Sequence, residues 1–203
     1  EQFIHISALG IEKAKDSDYA ISKLNGEKNI FNNFSKSTIL RPSIVYSVDD
    51  NFTTSMMSLL SILPFFPLYY AGKTKFSPIH VSEMADIILN IVDKNICSEI
   101  IECAGPDVIT FREIIEKLLI LIDKKKILLP LPLIIAKISA ALLEKFPRPL
   151  ITMDQLKLLK YDNILNKENK SNFDLGIKSE LKFEDEVKKY SYMWREGGEY
   201  SKK

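Results

Sequence analysis

The sequence predicts an α/β fold built on a largely parallel sheet, and three observations predict it. Short apolar runs alternate with longer segments of helical period, in the order strand, helix, strand, helix. Ser, Thr and Asp stand at the heads of the helical segments, where their side chains can cap free N–H groups. The chain has 203 residues, 46% hydrophobic and 27% charged, which is enough for one domain with a sizeable core.

Phe3 to Ser7 is the first expected strand, short enough to be buried. Gly10 to Ser17 reads as a polar loop ending in Asp16-Ser17-Asp18, good cap chemistry for a helix from about Tyr19 to Asn33. Ser37 to Tyr46 reads as a second strand. Pro42 has no N–H to give a ladder, so that strand ends or bulges there, where a ligand can approach. Asn51 to Gly72 carries no charge, yet Pro64, Pro67 and several Ser and Thr residues argue against a membrane span. A helix over Phe52 to Leu63 is expected, then an apolar loop from Pro64 to Tyr70. Core packing is its simplest use; a pocket wall and a membrane-touching surface are the alternatives.

Ser77 to Val81 is a short strand, followed by a helix from Met84 to Asp93 capped by Ser82. Glu99 to Cys103 is another strand, and Gly105-Pro106-Asp107 a turn. Thr110 with Glu113 three residues on forms a capping box for a helix to about Ile122. Pro130 and Pro132 lead into a buried amphipathic helix, Leu133 to Phe146, stopped by Pro147 and Pro149. Thr152 caps a helix running to Tyr161. Asn163 to Asn172 reads as a polar connector. A last helix spans Phe183 to Trp194, with Trp194 as its anchor, and a frayed tail is expected from Gly197.

Composition narrows the function. A net charge of +1 gives no basic field for nucleic acid. Of 28 basic residues only four are arginine, a bias that says nothing about function. Cys97 and Cys103 read as reduced core thiols, and two histidines far apart in sequence predict no metal site. The sequence opens without Met and reads at once as a strand, so an upstream part is expected. No Gly-x-Gly-x-x-Gly or Gly-x-x-Gly-x-x-Gly occurs, which places any phosphate-cradling turn outside this chain.

The chemistry concentrates near the start. Ser7 follows the first strand, and Tyr19 and Lys23 are spaced to share one helix face. An ammonium beside a phenol favours the phenolate and lowers its pKa, making a tunable acid/base, while the serine can hold a substrate oxygen. Eight tyrosines and 24 lysines produce about one Tyr-x-x-x-Lys pair by chance, and two occur. The other, Tyr69 to Lys73, follows Pro67 and contains Gly72, so it is not expected to be helical. Lys13, Lys73, Lys75, Arg112 and Arg148 are candidate phosphate contacts. Arg112 is better read as an ion-pair partner of Glu113 or Glu116.

Ordered fragments along nearly the whole chain carry a family resemblance. They are Phe3-Ile4-His5-Ile6-Ser7-Ala8-Leu9-Gly10, Asp18-Tyr19-Ala20-Ile21-Ser22-Lys23, and Ile39-Leu40-Arg41-Pro42-Ser43-Ile44-Val45-Tyr46. Pro78-Ile79-His80-Val81-Ser82-Glu83-Met84-Ala85, Gly105-Pro106-Asp107-Val108-Ile109-Thr110-Phe111 and Asp154-Gln155-Leu156-Lys157-Leu158 follow. The sequence resembles the extended and atypical short-chain dehydrogenase/reductases of the NAD-dependent epimerase/dehydratase type. Within them it is most similar to the nucleotide-binding accessory subunit of respiratory complex I and its bacterial relatives.

The resemblance implies the C-terminal half of a Rossmann-type parallel sheet with helices, plus a smaller, mainly helical substrate-side domain. Residues 1–50 and 77–104 would belong to the NAD(P)-binding part, and residues 51–76 and 105–203 to the substrate or partner part. It implies Tyr19 as general acid/base, Lys23 on the ribose hydroxyls and Ser7 orienting the substrate. His5, Ile6, Pro42, Ser43 and Val45 would pass close to the nicotinamide or its ribose. The cofactor would be NAD or NADP, with the discriminating residue upstream. Ser47 and Glu83 depart from the glycine and aspartate that many relatives carry. Two functions follow: a Tyr/Lys oxidoreductase or epimerase/dehydratase acting on a small-molecule substrate, or a non-catalytic nucleotide-holding subunit of NADH:quinone oxidoreductase. The second implies complex I partners and a cytoplasmic location, peripheral on an energy-transducing membrane. A chain lacking half its nucleotide site is expected to bind cofactor weakly and to expose strand edges.

Overall fold

The computed structural model describes residues 2–145, 149 and 151–201. In chain order the elements are β1 (Phe3–Ile6), α1 (Asp18–Asn33), β2 (Ser37–Pro42), β3 (Val45–Tyr46), α2 (Thr53–Ile62) and β4 (Phe65–Leu68). Then come β5 (Lys75–Phe76), β6 (Ile79–His80), α3 (Val81–Asp93), β7 (Ile100–Cys103), β8 (Ile109–Thr110), α4 (Phe111–Leu121) and β9 (Ile127–Pro130). The chain closes with α5 (Leu133–Leu143), α6 (Met153–Leu158), β10 (Lys170–Ser171) and α7 (Phe183–Ser191).

The main sheet has the order β1-β2-β7-β10, and every pair in it is parallel. Its first unit, β1-α1-β2, is a helical crossover between neighbouring parallel strands. β2 is buried throughout, as a strand with neighbours on both edges and cover on both faces should be. Pro42 ends it, as its missing N–H requires. The chain then turns at residues 43 and 44, and β3 pairs with β6 in a separate two-stranded sheet. β1 lies at the sheet edge, and its Phe3 and Ile6 are exposed rather than buried as expected.

Two apolar clusters support these layers. One packs Leu40 and Ile101 of the sheet against Ile79, Ile87 and Ile91. The other joins α2, α4 and α7 through Met57, Leu60, Ile114, Leu118, Val187 and Trp194. Trp194 anchors as expected, donating its indole N–H to Ser58 Oγ at 2.9 Å. The capping boxes Thr110–Glu113 and Thr152–Gln155 both form.

Several expectations are corrected. The segment from Pro64 is not all loop: Phe65–Leu68 pairs in parallel with Ile127–Pro130. The polar connector contains β10, which extends the main sheet. The loop Gly10 to Ser17 buries Ile11 and Ala14 under α1. His80, not Ser82, caps α3: its imidazole accepts from Ser82 N–H. α6 ends at Leu158, three residues early. The residues after Gly197 pack back, with Tyr200 N–H on Met193 O at 2.8 Å and its ring 4.8 Å from Trp194.

α5 departs furthest from its reading. It buries Ala136 and Ala140, whose small size lets the helix approach Tyr69, Ile151 and Leu156. Its large residues face outward, with Ile134 75% exposed and Leu133, Ile135, Ile138 and Leu142 also exposed. Among the described residues no helix is long and apolar enough to cross a membrane. Phe146, Pro147 and Arg148, expected to end this helix and to fork an anion, lie outside the described residues.

Candidate functional site

The carboxyl end of β1 is extended by its ladder. Ser7 N–H donates to Leu40 O at 2.7 Å and Leu9 N–H to Pro42 O at 2.9 Å. This places Ser7 and Pro42 side by side beyond the carboxyl ends of parallel strands, where open α/β sheets bind ligands. Ser7 is 4% exposed, and its Oγ is buried without a hydrogen-bond partner among the described residues. His5 Nε2 is orphaned in the same way. An unsatisfied buried polar atom costs about 1–3 kcal/mol, so two on one strand end mark a place suited to a polar ligand.

α1 starts beside this end because two caps hold it there. Ser17 Oγ accepts from Ala20 N–H at 3.2 Å. The Asp154 carboxylate, in the first turn of α6, accepts from Ser17 Oγ at 2.9 Å, Asp18 N–H at 2.8 Å and Tyr19 N–H at 3.0 Å. Negative charge at a helix N-terminus is favoured by the macrodipole. Tyr19 is 44% exposed, and Lys23 follows it one turn on. The Lys23 ammonium donates to Ile6 O at 3.2 Å and stands over the Tyr19 ring, 5.9 Å from its centroid.

The electrostatics differ from the simple expectation. Burial pushes the Tyr19 phenol above its ordinary value, where the neighbouring ammonium was expected to lower it. The cause is desolvation of the phenol; the Lys23 ammonium is bonded to Ile6 O rather than to the phenol oxygen. His5 is pushed down, first by burial and then by the Lys23 charge, with Glu27 pulling the other way. The second Tyr-x-x-x-Lys pair forms no helix face: Tyr70 and Ala71 adopt φ of 51° and 56° in a tight 3₁₀ segment.

A cleft of about 300 Å³ lies next to Tyr19, with Ala8, Leu9, Pro42, Ser43 and Asn163 among its walls. Ser43 is committed: its Oγ donates to Asn163 Oδ1 at 2.5 Å and accepts from Ser77 N–H at 3.1 Å. Asn163 Nδ2 reaches Leu9 O at 2.5 Å, closing the latch. The structure thus brings Tyr19, Pro42 and Ser43 to one cleft. Ser7, His5, Ile6 and Lys23 gather at the adjoining end of β1. Val45 is turned into the cluster around Leu40 and Ile79, apart from both. Lys13, Lys73 and Lys75 are exposed, and Arg112 pairs with Glu116 at 3.5 Å.

A second, apolar chamber of about 250 Å³ adjoins the cleft and shares Phe76, Leu158 and Leu159 with it. Sequence reasoning did not find it, because its walls come from α2, β4, α4 and α6. Nor did it find the buried network at Arg41, whose Nε and Nη2 donate to the two Glu27 oxygens at 2.9 and 2.6 Å. Arg41 Nη1 lies 3.6 Å from Glu12. Glu102 is pushed up by burial, opposed by the N–H of Asn166 and the amide of Asn169. A signal was present: Asn163, Asn166, Asn169 and Asn172 recur every third residue, and each latches the connector to the sheet end.

The chain is 27% identical over 179 residues to the NADH-ubiquinone oxidoreductase 40 kDa subunit of Neurospora crassa, covering 87% of this chain and 47% of that protein. It is 31% identical over 163 residues to the NADH dehydrogenase [ubiquinone] 1 alpha subcomplex subunit 9 of Dictyostelium discoideum, covering 77% and 45%. The corresponding Arabidopsis thaliana subunit is 28% identical over 176 residues, covering 81% and 44%. All three are named mitochondrial, and the chain spans about half the length of the relatives it matches. In fold it is similar to a dTDP-glucose 4,6-dehydratase from Streptomyces venezuelae solved with NAD bound. There the TM-score is 0.63 at 16% identity, covering 96% of this chain and 60% of that one. A UDP-glucose 4-epimerase from Thermus thermophilus in complex with NAD has a TM-score of 0.60 at 15% identity, covering 94% and 63%. No protein-family profile matches the chain.

Proposed function

From a chain that is a relative of these NADH-ubiquinone oxidoreductase subunits, on a short-chain dehydrogenase/reductase fold, we propose that the β1–α1 corner holds the nicotinamide ribose of NAD or NADP in an accessory subunit of that complex. One observation carries this reading. Lys23 is fixed by Ile6 O, over the ring of a partly exposed Tyr19, beside the orphaned hydroxyl of Ser7.

Each residue has a task in it. Lys23 and Tyr19 hold the ribose hydroxyls, and Ser7 Oγ and His5 Nε2 supply unpaired polar atoms at the same strand end. Pro42 leaves the sheet end free of a competing N–H, while Ser43 and Asn163 keep the cleft wall in place without touching the ligand. When bound, the nicotinamide would supply hydride chemistry. As a bound ligand the dinucleotide stabilises the subunit by RT ln(1 + [L]/Kd).

The second reading, an oxidoreductase or epimerase/dehydratase on a small carbonyl or hydroxyl substrate, is favoured by the same free Ser7 hydroxyl, which could orient a substrate oxygen against Tyr19. The two separate experimentally. Express the protein from its complete reading frame, measure NADH and NADPH binding, and test co-purification with quinone-reductase subunits. The accessory reading expects binding, co-purification, no turnover, and a dinucleotide affinity that Tyr19→Phe weakens several-fold, about 1 kcal/mol for one lost hydrogen bond. A monomer whose brisk turnover is abolished by Tyr19→Phe would replace it with the catalytic reading.

A further inference from the structure

We infer that the apolar chamber beside the cleft is a binding site for one aliphatic chain, acyl or prenyl, whose polar head would face Tyr19. The inference deepens the nucleotide reading above and rests on it.

The chamber is walled by Met56 and Leu59 of α2 and Leu63 just after it, with Phe66 of β4 and Phe111 of α4 also in its lining. Among the described residues no charged side chain lines it. Its one amide, Gln155, has its carbonyl committed to Thr152 N–H at 3.0 Å in the α6 capping box. A sugar nucleotide placed there would bury its phosphates with no cation among the described residues and one amide NH2, that of Gln155, as donor, a cost of several kcal/mol per unpaired charge. An apolar group gains by entering. Apolar cavities of about 150 Å³ stay dry and take up benzene, and this one is about 250 Å³.

Position supplies the second half of the argument. Phe76, Leu158 and Leu159 line both the chamber and the Tyr19 cleft. The chamber and the Tyr19 cleft meet at these three side chains, so a ligand with its tail in the chamber and its head past Phe76, Leu158 and Leu159 would reach Tyr19 and Pro42. Met56, Leu59 and Leu63 are only half-buried, so the chamber wall on α2 is accessible to a tail.

The test is calorimetric titration of the protein expressed from its complete reading frame with decanol and with geraniol, a linear and a prenyl alcohol of equal carbon count, alongside NADH. Saturable one-to-one uptake is expected, weakened at least tenfold by Met56→Trp, which fills the chamber, with NADH affinity unchanged. Leu63→Asp, which adds charge without bulk, should give the same loss, and the unliganded melting temperature of each variant shows whether it folds. The tighter of the two alcohols identifies the tail as acyl or prenyl. NADH binding without uptake of either alcohol overturns the inference and spares the nucleotide reading. Uptake that neither folded variant weakens also overturns it. Alcohol binding without NADH binding overturns the nucleotide reading and, with it, the placement of the head.

Discussion

The Asp154 carboxylate, at the start of α6, accepts the backbone N–H of Tyr19 at 3.0 Å, so a residue far along the chain sets where the α1 helix begins. It also takes the N–H of Asp18 and the hydroxyl of Ser17. The position of Tyr19 relative to Ser7 therefore depends on the C-terminal half of the chain.

Asp154→Ala should cost about 1–2 kcal/mol, the usual range for losing a charged helix cap. Burial raises the Asp154 pKa, but the N–H groups of Tyr19 and Asp18, the Ser17 hydroxyl and the Lys157 charge outweigh it and hold the carboxyl below its ordinary 3.8. A folded pKa below the unfolded one gives stability that is full above the unfolded value and is lost as pH falls through the folded one. The gap in denaturation midpoint between the protein and Asp154→Asn should hold near neutrality and close below pH 3.8. A gap independent of pH down to acid unfolding would contradict the capping role.

Arg41 and Glu27 form a buried bidentate pair, with side chains 7% and 5% exposed. Removing Arg41 leaves the buried Glu27 charge unpaired, at about 3–5 kcal/mol, whereas removing Glu27 leaves Arg41 only its longer contact with Glu12 at 3.6 Å. Glu27→Met or Arg41→Met alone should therefore destabilise more than the double change. Urea unfolding of the three variants measures this, and additive losses would show that the pair is not coupled.

Gly105 sits where β7 passes the chain entering β6. A Cβ there would lie 1.8 Å from the Pro78 carbonyl oxygen, so backbone must move to admit one. Gly105→Ala should cost at least about 1–3 kcal/mol. Gly176→Ala makes a useful comparison, because a Cβ there meets nothing within 4 Å and only its φ of 73° is strained. Equal melting temperatures for the two variants would refute the close approach.

Trp194 is the sole tryptophan, and it ties the end of α7 to α2 through Ser58. Trp194→Phe should cost about 1 kcal/mol for the lost hydrogen bond, because Ser58 keeps its own bond to Thr54 O. Trp194→Ala should cost about 3–5 kcal/mol. Thermal unfolding followed by circular dichroism distinguishes these, and an alanine variant as stable as the phenylalanine one would mean that the ring contributes no packing.

What was legible in the sequence was local. The Thr110–Glu113 and Thr152–Gln155 boxes, the helix after Ser17 and the end of β2 at Pro42 each follow from neighbouring residues. The missed strands are those whose partners lie far away, such as Phe65–Leu68 on Ile127–Pro130. Pro67 weighed against a strand, yet among the described residues β4 pairs only on one side, and an unpaired edge tolerates proline. At the site, the Tyr19–Lys23 spacing was readable, as helix period requires. The phenol's pKa direction was not, because it depends on burial by distant segments and on Lys23 turning to Ile6 O. Ser43 lies in the wall of the Tyr19 cleft, but that its hydroxyl is held by Asn163, 120 positions away, was not readable.

The central claim is that Lys23 and Tyr19 hold a nicotinamide dinucleotide. The most direct measurement is fluorescence titration of NADH and NADPH into the protein expressed from its complete reading frame, and into Lys23→Ala. Saturable binding that Lys23→Ala weakens at least tenfold, about 1.4 kcal/mol, with an unchanged melting temperature for the free variant, is the predicted result. Binding of neither nucleotide, or equal affinity in the variant, would contradict it.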